Sequence, residues 1–383
     1  MKNIELLMNY NDEYTYDALR MENKRVIFRL EDEQFNYATL KKIIIFCNSV
    51  HRKYKGINVP IVFQLNNIKI VNKLIYIIFE CICECLISEW RHDVWVTFKN
   101  DNHIWSEGIL SSPLLLLETG KKKHLEKFQQ RFNFDIYKRH FRKLVKGNEQ
   151  ADSDFLCKLA SDIDSFLKAF SVREEYRDAI SEVAVELIGN AGEHTGSDCL
   201  IDIDVSKEYI KIANGQNYYG INIAIINYAD KLLGDGIKEK IESQELLDDR
   251  HEKVKKAYII HKNEFNEDYT EQDFYSVASF QHRISEREEV YTGGTGLTKL
   301  IQSLESKADR HMCYVLSGRR GLMFKKEYLE YNDGRWIGFN KENDFLTQIP
   351  DVEIFDECDI FFPGTAYNLN FVMAVDEAQI DVF

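Results

Sequence analysis

The sequence predicts an α/β protein built from two sheet-and-helix units, and three observations point there. Between Arg25 and about Asn100, strand-like runs alternate with helix-like runs. From about Ser153, two amphipathic helices come first and strand-like runs gather after them. A strongly basic stretch, Lys121 to Lys146, separates the two regions. Alternation argues for a sheet covered by helices, and helices followed by strands for an α/β sandwich with helices on one sheet face.

Val26 to Leu30 reads as a strand, Tyr37 to Tyr54 as a helix and Val59 to Leu65 as a second strand. Val71 to Trp90 follows as a helix and Val94 to Phe98 as a third strand, so residues 1–110 form a β-α-β-α-β unit. In the basic stretch, ten basic residues stand against two acidic ones, and Phe128, Phe132, Phe134, Tyr137 and Phe141 interleave. Such a mixture can grip single-stranded nucleic acid through phosphates and base stacking. Leu125, Phe128 and Phe132 also fall at i, i+3 and i+7, which suits a helical connector over 111–150 with its lysines in water. The acidic surroundings favour the connector.

The second unit covers 151–383. Phe155 to Phe170 and Tyr176 to His194 read as helices, Leu200 to Val205 and Tyr209 to Ala213 as strands, and Ile221 to Leu233 as a helix. A long polar, acidic stretch then runs to Val290. Leu297 to Leu304 reads as a helix, and Tyr314–Leu316, Leu322–Phe324 and Tyr367–Val372 as strands.

A chain of 383 residues can bury a sizeable core. With 29% charged and 44% hydrophobic residues it has the composition of a soluble protein. A net charge of −14 repels nucleic acid and anionic membranes. The start lacks a signal-peptide core. The longest apolar stretch, Leu74 to Ile87, is interrupted by Glu80 and Glu84 and is too short to span a bilayer, so a cytoplasmic protein with no membrane partner is expected. Of eight cysteines, Cys81, Cys83 and Cys85 form C-I-C-E-C, with no C-x-x-C pair anywhere. Buried reduced thiols are expected rather than a zinc site or a disulfide framework.

On the Tyr176–His194 helix, Ile180, Val183, Ala184, Leu187, Ile188 and Ala191 form one apolar stripe. Glu186 and Asn190 lie beside it, four apart, and project together. A partly desolvated carboxylate can hold and activate water, and an amide oxygen can ligate Mg²⁺. The same spacing also suits an exposed polar edge. Further on, Gly293, Gly294, Thr295 and Gly296 precede Leu297 at the expected helix start, and backbone amides of such a turn suit phosphates. No segment reads as a P-loop.

The order of E-L-I-G-N-A-G-E-H from Glu186, I-K-I-A-N-G from Ile210, G-G-T-G-L from Gly293 and P-G-T-A-Y-N-L-N-F from Pro363 resembles the GHKL ATPases. That superfamily covers DNA gyrase, heat-shock chaperones, sensor histidine kinases and mismatch-repair ATPases. The N-A-x-x-H ending is most similar to the histidine-kinase and anti-sigma-factor serine-kinase branch. The resemblance spans about Ser153 to Val372 and implies a Bergerat-type sandwich that binds ATP and Mg²⁺. It implies Glu186 as general base, Asn190 as the Mg²⁺ ligand, Gly294 and Gly296 in the phosphate-closing box, and Thr365 beside the adenine. In the adenine box, Ala213 stands where the family has aspartate, leaving Asn214 and Gly215 at that place. Glu193 replaces a frequent lysine. A long lid (about 216–293) would bring Arg287 to a phosphate. The first unit resembles the STAS fold of anti-sigma-factor antagonists in element order and in its V-F-Q-L-N-N-I strand end. Where that family has a phosphorylatable serine, Asn66, Asn67 and Asn72 stand here.

These resemblances imply a slow ATPase acting as a nucleotide-gated switch on an unidentified protein partner, and a homodimer is compatible with it. A serine or histidine protein kinase and a non-hydrolysing nucleotide-binding module are the alternatives. His124 lacks the adjacent acid of a phospho-accepting histidine, and Glu186 favours turnover because binding alone needs no base.

Overall fold

Asn36 and Asn72 start the two long helices of the first unit. Each side chain accepts a hydrogen bond from the backbone N–H three residues on, at Thr39 and Ile75, which satisfies an otherwise orphaned donor. The computed structural model describes the chain apart from residues 13–15, 17–18, 20, 32–33, 67, 71, 99–108, 110, 150–152, 207–208, 211–216, 244–246, 282–312, 330–335 and 375–383. In order come α1 (Glu5–Tyr10), β1 (Met21–Glu22), β2 (Arg25–Glu31), β3 (Gln34–Phe35), α2 (Tyr37–Lys53) and β4 (Ile61–Asn66). Then follow β5 (Lys69–Ile70), α3 (Lys73–Ser88) and β6 (Val94–Phe98). Strands β2, β4 and β6 pair in parallel, as a β-α-β-α-β order requires, with β1 antiparallel at one edge.

The second sheet is antiparallel. It is built from β7 (Phe134–Tyr137), β8 (His140–Val145), β9 (Cys199–Val205), β10 (Tyr209–Ile210), β11 (Asn217–Asn227), β12 (Tyr314–Met323) and β13 (Phe355–Ala374). Its order is β12-β13-β11-β9-β8-β7, with β10 paired to β11. Helix α4 (Lys122–Asn133) leads into β7, while α5 (Ser153–Lys168) and α6 (Glu174–Thr195) lie between β8 and β9 in the chain.

Four layers result. Helix α6 packs on β9 and β11 from one side, with Ile180, Val183, Ala184, Leu187 and Ile188 buried in a core shared with Ile201, Ile223 and Leu369. From the other side α1, α2 and α3 pack on β11 and β13, so α2 and α3 lie between the two sheets. Helix α3 is buried at every residue from Lys73 to Leu86. A helix apolar around most of its circumference belongs inside, and Cys81, Cys83 and Cys85 are there as small apolar fillers. One continuous core joins Ile77, Ile78 and Ile82 of α3 with Ala224, Ile226 and Ala366 of the antiparallel sheet. Seven of the eight cysteines are buried and none is in a disulfide; Cys157 is exposed. Among the described residues no helix is long and apolar enough to cross a membrane.

The structure departs from the sequence expectations at several elements, and the two strands expected at Tyr314–Leu316 and Leu322–Phe324 are a single strand, β12. The connector expected as helical over 111–150 is α-helical at Lys122–Asn133 and 3-10 helical at Pro113–Thr119; Phe134–Tyr137 and His140–Val145 instead form a hairpin at the sheet edge. Phe128 and Phe132 obey the helical spacing, but His140, Arg142 and Leu144 alternate at period two. Ile221 to Leu233, expected as a helix, is largely strand β11 to Asn227. Ile221, Ile223 and Ile225 face α6 while Ala224 and Ile226 face α3, so burial of both faces hid the alternation. The polar stretch expected as a lid loop holds three helices, α7 (Asp235–Glu242), α8 (Asp249–His261) and α9 (Glu271–Ala278). Asp248 caps α8 and a Thr270–Asp273 capping box starts α9.

Candidate functional site

Glu186 and Asn190 lie on α6, one turn apart and both half-buried, beside the stripe that packs on β9 and β11. Glu182, one turn earlier on the same row, is exposed, so the row sinks into the protein toward the end of the helix. Asn190 is five residues from the last helical residue, Thr195, or about 7.5 Å along the axis.

A corner forms just beyond that helix end. Three residues carry the chain from α6 into β9, whose first residue, Cys199, pairs with Asn227 at the end of β11. Asn227 pairs in turn with Thr365 on β13. Ile201, Ile225 and Tyr367 face α6, so alternation along the strands turns Cys199, Asn227 and Thr365 to that same side. The turn is tied to the sheet by the Asn227 amide, which donates to Ser197 Oγ at 2.7 Å and to the Asp198 carbonyl at 3.2 Å. Gly364, before Thr365, has φ +93°, and a Cβ there would stand 2.3 Å from the Asn227 carbonyl oxygen. Only glycine permits that approach.

Burial opposes ionisation of Asp198. The Lys2 backbone N–H at 2.8 Å, the Lys146 ammonium at 3.1 Å and the Gly147 N–H at 3.3 Å nevertheless hold its carboxyl below the usual range. The helical insert docks beside the corner. Gln272 Nε2 donates to the Leu233 carbonyl at 2.6 Å, and the Leu233 N–H to Ser317 Oγ at 2.9 Å. Ser317 donates onward to the Gly364 carbonyl at 2.7 Å.

The structure thus brings the C-terminal half of α6 and Thr365 to one end and one face of the sheet. Asn214, Gly215, Arg287, Gly293, Gly294, Thr295, Gly296 and Leu297 lie outside the described residues. Ile210 and Asn217, which flank the segment holding Asn214 and Gly215, pair with each other at the start of β11. That is the opposite end from Asn227, about 30 Å away by strand rise. Asn227 is the residue that sequence reading missed. Its only local signal is a polar residue closing an isoleucine run, I-A-I-I-N. Among the described residues no cluster of histidine, cysteine and acidic side chains has the makings of a metal site. No family model matches the chain, and no curated protein or solved structure matches it.

Proposed function

We propose that the chain is a Mg²⁺-dependent ATP-binding protein of GHKL type, a slow ATPase acting as a nucleotide-gated switch on a protein partner. In this reading the antiparallel sheet with α5 and α6 is its Bergerat-type sandwich, and the parallel unit is its STAS-like part. The observation that carries the reading is the convergence of Asn190 and Thr365 at one end and on one face of the antiparallel sheet, with Asn227 between the elements that hold them. A carboxylate and a carboxamide oxygen are hard donors, a set that suits Mg²⁺. Asn190 would hold the ion, which neutralises phosphate charge when bound. Glu186, half-buried, would accept the proton of the attacking water. Thr365 would offer its hydroxyl to the base, with Asn227 as the residue that positions the corner. The helical insert is anchored beside this corner on Leu233 and Ser317.

Calorimetry with Mg-ATP tests this directly. The wild type should bind, Asn190→Ala should not, and Glu186→Ala should bind without releasing phosphate. Well-folded wild type that takes up no nucleotide would sink the reading. With γ-labelled ATP, label should leave as phosphate; label retained on protein would favour a kinase instead.

A further inference from the structure

Where α3 meets the antiparallel sheet, four basic side chains (Lys73, Arg131, His140 and Arg142) meet four carboxylates (Glu80, Asp135, Asp202 and Asp204). All but Arg131 are buried. From α3, Lys73 reaches Asp202 Oδ1 at 2.6 Å and also pairs with Asp204, while Glu80 pairs with Arg142 of β8 and accepts from the Ser112 hydroxyl. Arg142 also donates to Asp202. From α4, Arg131 grips Asp135 of β7 through Nε at 3.0 Å and Nη2 at 2.7 Å.

His140 sits in the middle with 1% of its surface exposed. Its Nδ1 lies 3.1 Å from Asp135 Oδ2 and its Nε2 lies 2.7 Å from Asp202 Oδ2. A neutral imidazole donates from one nitrogen only, so the other lone pair would face a carboxylate lone pair. The imidazolium satisfies both contacts. It also completes the charge balance of the cluster, because four cations then face four anions.

We infer that His140 holds a structural proton that completes the charge cluster on which α3 sits, so that the docking of α3 on the antiparallel sheet weakens as pH rises above neutrality. Burial works against the charged ring, but the Asp202 charge and the hydrogen bonds the ring donates to Asp135 and Asp202 outweigh it and raise the His140 pKa above its ordinary 6.5, against a smaller opposing effect of Arg142. For a basic group with a raised folded pKa, the stabilisation is complete below about 6.5 and is lost as pH climbs through the folded value. The other groups facing the cluster differ. Burial keeps the Tyr76 hydroxyl of α3 protonated, and burial opposes ionisation of Asp202, yet Arg142, His140 and Lys73 hold it well below the usual range. Burial raises the Glu80 carboxyl despite Arg142, which weakens docking with rising pH too, but from about 4.5 upward.

Hydrogen exchange on the whole chain between pH 6 and 9, corrected for the intrinsic base-catalysed rate, reads the docking. Opening of α3, β7 and β8 should grow by up to tenfold per pH unit above about 6.5. The His140→Gln variant should open more at pH 6 and show no such rise, while Glu80→Gln should keep it. Nitrogen NMR of the wild-type imidazole gives a reading that needs no variant: both His140 nitrogens should carry protons at pH 7. A ring with one bare nitrogen at pH 7, or a pH rise that survives in His140→Gln, overturns the inference.

Discussion

Glu80 of α3 and Arg142 of β8 form an ion pair with both side chains wholly excluded from solvent, across the boundary between the two parts of the chain. Removing Glu80 takes away one of the two carboxylates that Arg142 binds and leaves the buried guanidinium on Asp202 alone. Glu80→Ala should therefore cost about 3–5 kcal/mol, and Glu80→Gln, which can still accept from Arg142, should recover much of it. Urea unfolding midpoints of the three proteins check this; a cost under about 1 kcal/mol for Glu80→Ala would show that the pair is solvated.

Gly364→Ala should destabilise by on the order of 2 kcal/mol, combining a left-handed φ with the approach to the Asn227 carbonyl. If the nucleotide reading holds, the same variant should lose affinity for Mg-ATP more than a distant variant of equal stability. Thermal melts beside calorimetry separate the two effects.

Thiol titration should find one fast cysteine. Cys157 is exposed, whereas burial pushes the Cys81, Cys313 and Cys358 thiols up to about 12 and shields the rest as well. At pH 8 a disulfide reagent should consume one equivalent within minutes and the other seven only after denaturant is added. Rapid consumption of two or more in native protein would contradict the burial of the other seven.

Single-stranded DNA or RNA should gain no salt-sensitive affinity from Lys121 to Lys146. Several of its cations are engaged internally: Arg142 with Glu80 and Asp202, Arg131 with Asp135, and Lys146 with Asp198. Fluorescence anisotropy at rising salt checks this. A steep loss of binding between about 50 and 200 mM salt would mean that the remaining lysines suffice.

The parallel strands were readable because each is built on a short run of apolar residues, and β6 begins and ends where the pattern places it. The Glu186–Asn190 row was readable because the apolar stripe beside it has a helical period. Strand β11 was not, since α6 and α3 bury opposite faces and erase the polar positions that mark a strand. Helices α7 and α8 escaped because lysine and glutamate dominate their exposed sides, leaving few apolar positions such as Val254 and Ala257 to show a period, and α9 because eight residues, buried from Asp273 to Ala278, are too few to show one. Asn227 and His140 escaped for a deeper reason. Their roles come from pairing with Thr365 and Asp202, partners far along the chain that no local window contains.

Helix α3 has a further consequence for how the chain can be divided. Residues 153–383 taken alone would lose β7 and β8 from the sheet edge. They would also turn Leu200, Ala224, Ile226, Leu316 and Ala366 toward water, with Asp202 and Asp204 stripped of Lys73 and Arg142. Such a fragment should precipitate rather than keep a working half, and the same holds for its N-terminal complement. The first region is a wall of the second rather than its passenger.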